Sequence, residues 1–160
     1  MINEVYMVQN PAVGAAILWR FICGYKDKKG ELTPFPLLFI VLPIIFKEEL
    51  RNRISSTQKR KGLSKMSEKL FEDQRNDELY SINDLALNFR QLTLDSFNVG
   101  SVSNLFQLKF EDALVYPVET KAKNGFSIDT VNLLKAAEKL GAWCAELSML
   151  EICEWLKVRF

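Results

Sequence analysis

The sequence predicts a mainly α protein with a small β-hairpin, a winged-helix-like element set in a single helical domain. Three observations predict it. Apolar residues recur at helical spacing over much of the chain, two short β-branched and aromatic runs meet around a tight turn at Glu111-Asp112, and polar or glycine-containing segments separate these elements. At 160 residues the chain is about one domain long, enough to bury a sizeable core. Within it, residues 1–46 read as an apolar helical block, 47–75 as a charged helical segment, 76–118 as the winged-helix-like helices and hairpin, and 119–160 as the carboxyl-terminal helices.

Asn10 followed by Pro11 is a cap and first-turn proline, and Ile17, Leu18, Phe21 and Ile22 then share a helical face. Gly24 is expected to end that helix, with Tyr25 to Glu31 as a polar connector. Phe35 to Phe46 is an unbroken apolar run that stops at Lys47-Glu48-Glu49. A membrane helix needs about 20 apolar residues, and Pro36 and Pro43 interrupt even this shorter length, so the run is expected inside protein. It is either the central core element or part of a large subunit interface, with a helix starting near Pro36 and kinking at Pro43.

From Lys47 to Lys69, Lys47, Arg51, Arg53, Lys59, Arg60, Lys61, Lys65 and Lys69 outnumber Glu48, Glu49 and Glu68. The sign then reverses through Glu72, Asp73, Asp77, Glu78 and Asp84, with Arg75 the one base, giving a dipolar middle. Leu79, Ile82, Leu85, Ala86, Phe89, Leu92 and Leu94 fit one or two amphipathic helices that Gly100 would stop. Leu105–Phe110 and Ala113–Val118 read as the hairpin strands. Ser127 caps a helix whose Ile128, Val131, Leu134 and Ala137 share a face, and Ser148 with Glu151 forms a capping box for the last helix.

Charge and residue inventory narrow the chemistry. A net charge of +1 argues against a free, strongly basic nucleic-acid binder while leaving room for a local basic face. The chain has no histidine, the commonest general base and metal ligand, and neither a GxxxxGK[ST] nor a GxGxxG phosphate-binding pattern. Lys61-Gly62-Leu63-Ser64-Lys65 lacks the first glycine of a phosphate loop and reads as a loop that starts a helix. Cys23, Cys144 and Cys153 are odd in number and lack a CxxC pair, which suits buried, reduced thiols in a reducing compartment. The Glu48-Glu49 and Glu111-Asp112 pairs sit at a helix start and a hairpin turn, so neither reads as an acid/base site. No catalytic, cofactor-binding or metal residue is assigned.

Two groups remain as binding candidates. Lys59, Arg60, Lys61, Lys65 and Lys69, close to the hydroxyls of Ser55, Ser56 and Thr57, suit either a solvated face or contact with DNA phosphates without base readout. Trp143, Trp155 and Phe160 suit either the core or a protein interface. A groove-reading helix should be rich in Arg, Lys, Asn and Gln, whereas Leu85 to Asn98 offers Asn88, Arg90 and Gln91 against Asp95 and the preceding Asp84. The amino-terminal MINEVYMVQNP has no positive region before a cleavable apolar stretch, so a cytoplasmic protein without a membrane segment is expected.

The order of features resembles the middle-component family of bacterial three-component ABC ATPase systems, defence operons built around an SMC- or RecN-like ATPase. Asn10-Pro11-Ala12-Val13-Gly14-Ala15, the PLLFIVLPIIF block from Pro36, the segment from Ser56-Thr57 to Lys65, and Lys139-Leu140-Gly141-Ala142-Trp143-Cys144-Ala145 carry the resemblance. It implies a non-enzymatic adaptor that couples a DNA-surveying ATPase to an effector in anti-phage or anti-plasmid defence. DNA would be met through the complex or weakly, with the greasy amino-terminal block and the carboxyl-terminal aromatics supplying protein contact. Cys144 departs from the Phe expected after Trp143, and no residue-level active site transfers. The alternative is a stand-alone winged-helix DNA-binding regulator.

Overall fold

The computed structural model describes residues 10–72, 77–121 and 125–160, less the side chains of Phe71, Glu78 and Leu79. The amino-terminal segment up to Gln9, Asp73 and Arg75 of the charge reversal, and the expected helix start at Asn76 lie outside the described residues. The remainder is mainly helical with one small antiparallel sheet.

Helix α1, Pro11–Lys29, starts as expected: the Asn10 side chain accepts from the amides of Ala12 at 2.9 Å and Val13 at 3.4 Å. It does not stop at Gly24. It continues to Gly30, whose left-handed φ of 73° ends it and whose N–H donates a hydrogen bond to the Lys26 carbonyl. Gly24 is instead a crossing point with helix α8, Ile128–Ala145. A Cβ at Gly24 would lie 2.2 Å from the Glu138 carbonyl oxygen, and one at Gly141 would lie 2.1 Å from that of Phe21. The two helices run side by side in the same direction. Arg20 pairs with Glu138 at 2.7 Å, and eight residues further along each helix Lys28 pairs with Glu146 at 3.0 Å.

The apolar run is core, not interface. Leu37, Leu38, Ile40, Val41, Leu42, Ile44 and Ile45 are each at most 2% exposed, and burying side chains of this size contributes about 1.5–3 kcal/mol apiece. The expected kinked helix is two elements, a 3-10 turn over Phe35–Ile40 and helix α2, Val41–Phe46. Pro43 lacks the N–H that would reach back to Phe39, so the change of helix type falls where that bond is missing, and Pro43 itself stands in the first turn of α2. Among the described residues no helix is long and apolar enough to cross a membrane.

Helix α3, Glu48–Ser56, leads through a 3-10 turn, Lys59–Lys61, into helix α4, Gly62–Glu72. Helices α5, Asp77–Tyr80, α6, Ile82–Asn88, and α7, Arg90–Val102, follow. Gly100 does not stop α7. Its missing side chain admits the ring of Phe106, which comes within 2.2 Å of where a Cβ would stand. That contact seats the hairpin of β2, Phe106–Lys109, and β3, Leu114–Pro117. A third strand that the sequence reading missed, β1, Thr33–Pro34, pairs with β3, so the order is β1-β3-β2, with Thr33 opposite Val115 and Phe106 opposite Pro117. Two residues are too few to carry a strand signature.

Ser127 caps α8 by accepting from the Thr130 amide, but Ile128, in the first helical position, is 81% exposed, contrary to the expected shared face. The first buried leucine is Leu133, a turn further on. Helix α9, Met149–Leu156, carries the capping box of Ser148 and Glu151 in full.

Candidate functional site

The basic segment forms a braced turn. Thr57 leaves α3 buried, with its hydroxyl donating to the Arg53 carbonyl at 2.7 Å. Gln58 to Lys61 then project outward, all four exposed. Leu63 and Met66 pull the start of α4 into the core, and Gly62 supplies the φ of 79° that lets the chain change direction between turn and helix.

Helix α8 holds this turn from below. The indole N–H of Trp143 donates to the Lys59 carbonyl at 2.8 Å. One helical turn earlier, Lys139 Nζ donates to the carbonyls of Ile54 at 3.0 Å, Ser55 at 3.3 Å and Thr57 at 3.1 Å, gathering the end of α3, where the Ile54 carbonyl also accepts the Thr57 amide. Burial, and then the positive charge of Lys59, lowers the Lys139 ammonium below its ordinary value. The sequence reading missed Lys139 as part of this site. Its one signal was the i, i+4 spacing to Trp143, which places both side chains on one face of α8.

The predicted basic residues thus divide. Lys59, Arg60 and Lys61 are exposed, and among the described residues no carboxylate lies within ion-pair distance of them. Arg60 Nε donates to the Gln58 side chain at 2.9 Å. Lys65 is half-buried and pairs with Glu68 at 3.7 Å. Lys69 turns inward, with Nζ 3.5 Å from the Thr57 hydroxyl, so it braces the turn where phosphate contact was expected.

The predicted interface aromatics divide as well. Trp143 is 1% exposed and belongs to the core, because its indole is enclosed and its one polar atom is bonded inside the protein. Trp155 is half-buried against the core, with its carbonyl accepting from the Ser67 hydroxyl. Phe160 is 50% exposed. The tail leading to it is better covered than the sequence suggests: Val158 is buried, and the Asn83 side chain donates to the Lys157 carbonyl and accepts from the Arg159 amide. Leu150, on α9 and not singled out by the sequence, is 70% exposed.

The cysteines are placed as fillers. Burial pushes the Cys23 thiol up to about 11, with Arg20 acting in the opposite sense, and the Cys144 thiol up to about 12. Cys23 donates to the Glu119 carbonyl, which also receives the Trp19 indole N–H at 2.6 Å.

The family model for middle component 3 of the ABC-three component system matches residues 1–160, the whole chain. Comparison with curated proteins and with solved structures finds no match. The chain belongs to the middle component 3 family of ABC-three component systems.

Proposed function

We propose that this middle component is a non-catalytic adaptor that couples a DNA-surveying, SMC- or RecN-like ABC ATPase to an effector in cytoplasmic defence against phages and plasmids. The observation that carries the reading is the match of the middle component 3 family to residues 1–160, since a middle component works with the other components of its system. Two surfaces support it. Lys59, Arg60 and Lys61 stand exposed on a turn fixed to the core, suited to touching the backbone of DNA that the ATPase holds. Phe160 and Leu150 leave apolar area open near the carboxyl end, suited to a protein partner.

Helix α7, the hairpin and β1 beside it form the winged-helix-like element of this proposal. The outward residues of α7 favour the adaptor over a stand-alone DNA-binding regulator. They are Arg90, Gln91, Asn98, Val99 and Val102, and Gln91 donates to Asp95 at 2.9 Å, leaving one cation where a groove-reading helix carries several.

The test is to express the chain with and without the products of its neighbouring genes and to measure retention of duplex DNA. The adaptor reading expects co-purification with an ATPase, with DNA retained by the complex and weakly or not at all by the chain alone. Tight, salt-dependent DNA binding by the isolated chain, with no stable companion, would favour the regulator and overturn the adaptor.

A further inference from the structure

The turn over Gln58–Lys61 combines two properties that a solvated loop does not need together. Its backbone is held at Lys59 by the Trp143 indole of α8, and the end of α3 that leads into it is held by the Lys139 ammonium at the Ile54, Ser55 and Thr57 carbonyls and by Lys69 of α4 at the Thr57 hydroxyl. Its side chains, in contrast, crowd three adjacent cations into solvent, with the Lys139 ammonium close enough beneath to feel the charge of Lys59. The exposed side chains keep their own freedom, but a braced backbone leaves little else to be ordered when a partner arrives. The arrangement becomes favourable when a polyanion approaches, because the loop then loses little freedom on binding.

Residues 55–70 contain no aromatic side chain, so the turn's own segment offers no platform for stacking unpaired bases. Its donors are cations, with the Ser55 hydroxyl and the Gln58 amide beside them in sequence, a set that suits phosphate oxygens and carries no base readout.

We propose that Trp143 and Lys139 are positioning residues that hold the Lys59–Lys61 turn preformed for the sugar-phosphate backbone of double-stranded DNA. Lys59, Arg60 and Lys61 supply the contacts, and Lys69 acts inward through Thr57. The proposal rests on the reading that this turn meets DNA, and deepens it by assigning the residues that set its shape.

The experiment measures anisotropy of a labelled duplex of about 30 base pairs against the purified complex over a salt series. In the parent, log affinity falls linearly with log salt, and K59A, R60A and K61A each lower the slope by about one. W143F leaves the charge unchanged and removes the donor to the Lys59 carbonyl, so affinity at fixed salt is expected to fall about three- to tenfold. K139Q is expected to do the same, K139R to restore binding, and K69Q to leave the slope unaltered. Should W143F not fold, the Lys139 pair decides.

If K59E/R60E/K61E retains parental affinity, both the DNA reading and this deepening fail. If that triple variant loses the duplex while W143F and K139Q bind as the parent does, the DNA reading stands and the positioning role is overturned. Tighter binding of a single strand of the same length would overturn the assignment to duplex.

Discussion

Gly24 and Gly141 leave no room for a methyl group, and what a Cβ would strike is backbone, which cannot swing aside as a side chain can. Gly141→Ala is therefore expected to cost about 2–3 kcal/mol, read as a lower urea midpoint. Gly30 is the contrasting case. Nothing lies within 4 Å of a Cβ there, so Gly30→Ala meets only the strain of its φ of 73°, about 1–2 kcal/mol. Equal losses at the two positions would contradict the assignment of Gly141 to the helix crossing. The buried thiols give a pH signature. Cys23 and Cys144 have folded values near 11 and 12 against an ordinary 9.0, so folded and unfolded chains both hold these protons below pH 9. Above pH 9 the unfolded chain releases them while the folded chain keeps them, and stability falls as pH rises. The urea midpoint is expected to drop more steeply between pH 8 and 10.5 in the parent than in a C23A/C144A variant. Parallel curves would contradict the thiol assignment.

At the scale of elements, α8 organises the molecule: one face packs along α1, and Lys139 and Trp143 reach the end of α3 and the turn after it. The ring of Phe106 helps to seat the hairpin, since it fills the space above Gly100 and is fully buried, as is Val115 on β3. Phe106→Ala is expected to cost about 3–5 kcal/mol, with Gly100→Ala also destabilising because the ring has no free volume to enter. A near-neutral Phe106→Ala would show that the hairpin is held elsewhere. Caps were legible in the sequence because their chemistry is local: Asn10, Ser127 and the Ser148–Glu151 pair each act within three residues. Gly24 and Gly100 were misread for the converse reason. A glycine that ends a helix and one that admits a neighbour look alike until the neighbour is known, and the neighbours are Glu138 and the Phe106 ring. The strand at Thr33–Pro34 exists only through its pairing with β3, which no local pattern announces.

At the scale of the whole molecule, the apolar run that could have been core or interface is enclosed by the chain itself, whereas Phe160 and Leu150 are 50% and 70% exposed, and it is on such groups that the proposed partner contact rests. The sequence located the basic cluster through composition alone. It could not separate Lys59, Arg60 and Lys61, which face outward, from Lys69, which turns to Thr57, because that division depends on how α4 and α8 pack around the turn. Exposed side chains contribute little to folding, so K59E/R60E/K61E is expected to change stability by less than about 0.5 kcal/mol. That makes the variant a clean probe of binding. The most direct test is to purify the assembled system through a tag on this chain and compare the duplex DNA retained by parent and K59E/R60E/K61E complexes at matched salt. The expected result is equal recovery of the partner components with less DNA retained by the variant. A variant complex that keeps its DNA, or a parent chain that emerges without companions, would contradict the account.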